Sequence, residues 1–176
     1  KEINPLDLTP SFDAFTAGFN AGHSQVVYTR LAADLDTPVS LMLKLTSAAP
    51  DAFVLESVTG GEVRGRYSII GMKPDLIWQC HGDTSRINRE ARYDSAAFEA
   101  QPGAPLDNLR ALIGESRIDL PADLPAASAG LFGYLGYDMI RHVERLPEPN
   151  PDALGLPDAI LMRPSLVAIM DNVADL

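Results

Sequence analysis

A chain of 176 residues that is 46% hydrophobic and 22% charged has the make-up of one folded domain, burying about 70% of its unfolded surface, and not of a disordered or fibrous segment. Its 14 basic residues against 24 acidic ones leave a formal net charge of −10, which repels phosphate backbones and anionic lipid, so neither nucleic acid nor a membrane surface is expected as a partner. A lone cysteine, Cys80, allows no internal disulfide; with no apolar run near the roughly 20 residues of a membrane span and no signal-peptide pattern, the expected location is cytoplasmic.

The first predicted element is a helix over 11–22. Ser11 can cap it, Phe12, Phe15 and Phe19 recur at i, i+3 and i+7, and Gly22 can end it, so the three rings are expected in the core. A short strand at 26–28 follows. The run Asp34-Leu-Asp-Thr-Pro-Val then signals a second helix, with Thr37 as N-cap, Pro38 at the first helical position, and Leu41 and Leu45 on one face. Four strand-like runs, 53–58, 66–71, 75–80 and 84–89, are joined by turns too short for parallel crossovers, which predicts an antiparallel meander. Helices are expected at 94–101 and 105–117, the second presenting Leu106, Leu109 and Ile113 with Leu112 beside them. A Pro/Ala linker at 119–128 leads to the glycine-rich run 130–137, where glycine signals close backbone approach or a kink. An irregular proline-bearing loop at 147–158 precedes strand-like runs at 159–162 and 165–170, interrupted by Arg163-Pro164. The expected fold class is α+β, antiparallel sheets backed by helices. The alternating pattern stops in mid-run at Leu176, so the chain is expected to be an incomplete portion of a larger fold.

No catalytic constellation emerges. His23, His81 and His142 lie far apart, no Cys or His spacing matches a zinc template, and no Gly-x-Ser-x-Gly, Walker loop or His-Glu-x-x-His occurs. Cys80, beside Trp78 in a strand, reads as packing because nothing marks its thiolate as stabilised. What stands out is the polar pair Glu56-Ser57 inside an apolar strand. Alternation puts Phe53, Leu55 and Ser57 on one face and Val54, Glu56 and Val58 on the other, so neither face is purely polar. Such a pair can be structural, with Glu56 meeting Arg64 or Arg66 across the hairpin. That is the usual fate of polar strand residues; the other reading is that the pair supplies polar handles on an apolar wall.

Leu55-Glu-Ser57, Gly60-Gly-Glu62 and Arg64-Gly-Arg-Tyr-Ser-Ile-Ile-Gly71 resemble the N-terminal region of anthranilate synthase component I, a chorismate-using enzyme family of tryptophan biosynthesis. Thr37–Leu45, Gly130–Asp138 and Arg141–Pro147 carry the same resemblance, which spans nearly all of the chain. The sibling aminodeoxychorismate synthase of folate synthesis is the nearest alternative, and a stand-alone amino-acid-sensing or interaction domain is a third.

The resemblance implies that residues 1–176 are a truncated regulatory region, without the C-terminal chorismate-binding catalytic domain. Catalytic residues and the Mg²⁺ site would lie in that missing part, leaving this segment inactive alone. The implied partners are a glutamine amidotransferase subunit that delivers ammonia, chorismate in the full enzyme, and L-tryptophan as feedback inhibitor. The implied tryptophan site centres on Ser57, with Glu56 and Leu55 beside it. Tyr67 and Ser68 on the facing strand are expected as second walls. So are Pro38, Val39 and Ser40 at the start of the second helix, where free backbone N–H groups can receive a carboxylate.

Overall fold

Two long strands form the spine of the chain. In the computed structural model, which describes residues 7–46, 50–56, 65–148 and 151–172, helices α1 (Phe12–Asn20) and α2 (Pro38–Thr46) precede strand β1 (Phe53–Leu55). Strands β2 (Tyr67–His81), β3 (Thr84–Asn88) and β4 (Glu99–Gln101) follow, then helix α3 (Pro105–Glu115), β5 (Phe132–Leu135) and β6 (Ala159–Asp171). All pairings are antiparallel in the order β4-β3-β2-β6-β5, with β1 also on β2. The expected α+β class is therefore found.

The expected break at 72–74 is absent: 66–71 and 75–80 fuse into β2, and 159–162 with 165–170 fuse into β6. The prolines that suggested interruption face each other, Pro74 opposite Pro164, where the register shifts by one residue before Leu76 opposite Arg163. Neither proline has an N–H to donate, so both fit where the ladder is already irregular. Lys73, at a φ of 51°, supplies the turn of the backbone, and its carbonyl accepts the Ser165 hydroxyl at 2.6 Å. Asp75, the bulged residue, is held by the Arg163 guanidinium through two bonds of 2.9 Å. Bulges bend the strand that carries them, and here two aromatic rings record the bend. Phe53 pairs with Gly71 on one side of the bulge and Phe132 with Met162 on the other, yet their rings stack at 5.0 Å.

The core lies between the sheet and α3. Leu76, Trp78 and Cys80 of β2, Ile87 of β3 and Ala159 of β6 meet Leu109 and Leu112 of α3, with Met139 closing one end. The helix buries Pro105, Leu109 and Leu112 while Ile113 faces outward, so its inner stripe is rotated from the expected one. The expected helix at 94–101 is a turn followed by β4. Asp94 accepts the Ala96 N–H in an Asx turn, and buried Asn88 donates to the Asp94 carbonyl, so local side-chain bonds outcompete helix formation.

Helix α1 forms where predicted, capped by Ser11 and closed by Gly22 at a φ of 75°. Its rings are not core: Phe12 is 80% and Phe19 68% exposed, and only Phe15 is partly covered. Their spacing makes a stripe, but no described element packs over it. The expected strand at 26–28 is a single bridge between Thr9 and Tyr28.

Gly71 is required by the Phe53–Phe132 stack, because a Cβ there would collide with the Phe53 ring. Gly71→Val is expected to displace the ring and cost about 1–3 kcal/mol, as overpacking does. Urea unfolding followed by the fluorescence of Trp78, the sole and fully buried tryptophan, measures this; an unchanged midpoint would show the stack to be dispensable.

Candidate functional site

Of the eight residues singled out in the sequence, seven are described; Ser57 lies outside the described residues. Leu55 ends β1, Glu56 follows it, and both are exposed. The rungs Phe53–Gly71, Val54–Ile70 and Leu55–Ile69 fix the side chains by alternation. Tyr67, two residues from Ile69, shares the face of Leu55, while Ser68 shares the face of Val54. The two expected walls on β2 thus lie on opposite faces of the ladder.

Ser68 is 1% exposed, and its Oγ accepts from the side-chain amide of Asn172 at 3.3 Å. Tyr67 is half-buried, with the Arg66 guanidinium 5.1 Å above its ring. Arg66 in turn forks onto Asp171 at the end of β6, Nε lying 2.9 and 3.0 Å from the two carboxylate oxygens. Sequence reasoning missed this bracket. Its partners are 105 residues apart and carry no local signal.

Helix α2, which carries Pro38, Val39 and Ser40 in its first turn, packs against β2 and β1. Its first turn is already occupied by its own chain. Thr37 Oγ1 accepts the Ser40 N–H at 3.1 Å, and Ser40 Oγ accepts the Thr37 N–H at 2.9 Å, a reciprocal cap. Ser40 Oγ also donates to Asp36 at 2.8 Å. Lys44 and Ser40 together hold the Asp36 carboxyl below its ordinary range. A carboxylate is therefore favoured at this helix start, but the one present belongs to Asp36, and the Ser40 N–H expected to be free is bonded. Val39 is 54% exposed and Pro38 half-buried.

Cys80, the other residue of chemical interest, is fully buried with His142 Nε2 3.7 Å from its sulfur. Burial pushes its thiol up to about 11, with the charges of Asp158 and Asp83 adding to the shift. It is a packed thiol and not a nucleophile. Among the described residues there is no group of three or more His, Cys, Asp or Glu side chains that could hold a metal ion. No helix among them is long and apolar enough to cross a membrane.

No protein-family model matches the chain. Over 163 residues it is 71% identical to anthranilate synthase component 1 of Cereibacter sphaeroides, an alignment covering 93% of this chain and 33% of that protein. The chain is related to the N-terminal part of anthranilate synthase component I. The protein of the same name from Synechocystis sp. is 38% identical over 169 residues, covering 94% of this chain and 32% of its own length. That from Pseudomonas aeruginosa is 42% identical over 147 residues, covering 81% and 28%. The chain thus spans about a third of the length of these curated relatives. The crystal structure of anthranilate synthase component I from Streptococcus pneumoniae superposes with a TM-score of 0.52 at 21% identity, over 87% of this chain and 31% of that one, a likeness of fold.

The state of Cys80 can be read directly. Below its ordinary value of 9.0 the thiol is protonated in both folded and unfolded chains, and its contribution to stability is fully present. That contribution is lost as pH rises toward about 11, because the unfolded chain ionises first. At pH 8 a thiol reagent is expected to modify the native protein at least ~100-fold more slowly than the chain in denaturant, from the thiolate fraction alone. Equal rates would mean an open, ordinary thiol.

Proposed function

We propose that this chain is the effector-binding N-terminal portion of an anthranilate synthase component I. That enzyme, a lyase, converts chorismate and ammonia to anthranilate and pyruvate. The observation that carries the reading is the 71% identity to a protein of that name across 93% of the chain. Residues 1–176 then form the regulatory region. The chorismate-binding catalytic domain lies in chain outside this segment, as does the Mg²⁺ site. A glutamine amidotransferase subunit would supply the ammonia, and the complete enzyme would work in the cytoplasm.

Tryptophan, the end product, is the proposed ligand of the β1–β2 hairpin. Leu55 and Tyr67 share one face of the ladder, and the alternation expected for 53–58 carries Ser57 to that same side. An indole offers roughly 150–250 Å² of apolar surface, whose burial at ~25 cal/mol/Å² contributes on the order of 4–6 kcal/mol before the costs of binding. The charged amino and carboxyl groups must keep hydrogen bonds, a role we assign to Ser57 first and, across the strand, to Glu56 second. Ser68, turned to the other face and bonded to Asn172, serves as support behind this wall. Val39, Pro38 and Ser40 of α2 are the third side proposed for it.

Inhibition at a distance requires only that tryptophan bind one conformation better than another, so filling its pocket removes the coupling and spares the chemistry. In the complete enzyme Ser57→Phe or Ser57→Arg is expected to raise the tryptophan inhibition constant tenfold or more, on the order of 1–3 kcal/mol of overpacking, with uninhibited turnover nearly intact. Inhibition matching the parent enzyme would remove Ser57 from the site. The segment 1–176 alone is expected to form no anthranilate from chorismate and ammonia, and product identity in the complete enzyme separates this reading from aminodeoxychorismate formation.

A further inference from the structure

The face of the sheet away from α3 carries a guanidinium that no carboxylate among the described residues neutralises. Ser85 and Ile87 of β3 are buried on the α3 side, so alternation turns Arg86, between them, to the opposite face, where it is exposed. Arg86 stands in a row across three strands, opposite Gln79 of β2 and Ala100 of β4. Its Nε donates to Gln79 Oε1 at 2.9 Å, and its guanidinium lies 4.7 Å over the Phe98 ring. Seven ion pairs among the described residues take up six other arginines and Lys44, and Arg86 is in none of them. With 24 acids in the chain against 14 bases, that arrangement needs a reason. Gln79 fixes the direction of the fork without cancelling its charge, whereas a glutamate on that rung would close a cross-strand ion pair.

Arg86 borders an open depression of about 450 Å³, lined also by His81, Thr84, Ser85 and Ala100. That volume falls within the ~300–1,000 Å³ of small-molecule clefts. The hydroxyls of the lining are spent on the protein itself. Thr84 Oγ1 donates to the His81 carbonyl at 2.9 Å, and Ser85 Oγ, on the α3 side, accepts from the Asn108 amide at 2.9 Å. What is left for a ligand is the Arg86 fork beside methyl groups and an imidazole ring. We propose that this depression is a subsite for a small monocarboxylate with a flat apolar body. Its carboxylate is taken by the Arg86 Nη groups, and its body lies against His81, Thr84 and Ala100. A phosphate dianion is the poorer fit, because the lining offers no second arginine or lysine and the chain as a whole is acidic. Water screens the pair in an open site, which sets the expected dissociation constant at about 1 mM. The subsite lies at the other end of β2 from Tyr67 and does not depend on the tryptophan reading of the hairpin.

The test uses the complete enzyme at low salt, with benzoate as the probe, benzamide as its uncharged counterpart, and calorimetric titration and the thermal midpoint as readouts. Benzoate is expected to bind saturably, and benzamide about tenfold more weakly or less. Arg86→Gln is expected to weaken benzoate binding about tenfold or more. Gln79→Glu probes what is particular to this site. It keeps Arg86 but sets a carboxylate against it, so benzoate binding is expected to fall about tenfold while the thermal midpoint stays at or above that of the parent. A loss that came from misfolding would lower the midpoint instead. Benzoate held elsewhere on the enzyme would bind both variants as it binds the parent. Parent-like binding by either variant overturns the proposal, and so does equal binding of benzamide or the lack of any saturable benzoate binding.

Discussion

Pro74 and Pro164 face each other in the middle of the longest ladder of the sheet, and neither can donate a hydrogen bond. A long antiparallel pair with such a gap must either end or bend there. It bends, because Asp75 is expelled as an extra residue and caught by Arg163, while Lys73 takes a left-handed conformation beside it. Arg163 reaches further, to Ser116 Oγ at 3.2 Å just past α3. One side chain thus links the bend in the sheet to the helix that covers the core. The stack of Phe53 on Phe132, from ladder positions on either side of the bend, depends on that curvature.

The candidate effector site takes its position from the same spine. β1 attaches to the first half of β2, α3 covers the second half, and β6 runs along both. The base of the hairpin meets β6 where Tyr67 pairs with Asp171. The chain has a continuous physical route from the proposed effector face to the core, made of backbone pairs and not of isolated surface contacts.

Much of this architecture was legible in the sequence because it rests on local signals. Ser11, Thr37-Pro38 and Gly22 marked helix ends, and they do so in the structure. The antiparallel order followed from short connections, and the polar Glu56-Ser57 step drew attention to the hairpin. What could not be read depended on distant partners. Prolines at 74 and 164 each looked like a break, since nothing local says that two breaks will face each other and merge into one bulge. The aromatic stripe of α1 had core spacing, yet spacing does not say what lies opposite. Asp94 looked helical until its carboxylate was seen to bond the chain two residues on. The Arg66–Asp171 fork, with its partners 105 residues apart in the chain, had no signature at all.

The outer strands of the sheet, β4 and β5, are three and four residues long. In β5, Gly133 has a φ of 155° and passes so close to the Ile160 carbonyl that no side chain fits there. Unpaired strand borders are where one protein molecule recruits another into fibrous stacks, and brevity with local distortion is how such recruitment is blunted. That shielding stops at Met162, however: beyond it the described residues pair β6 with β2 alone, so the second half of this long strand is an open border.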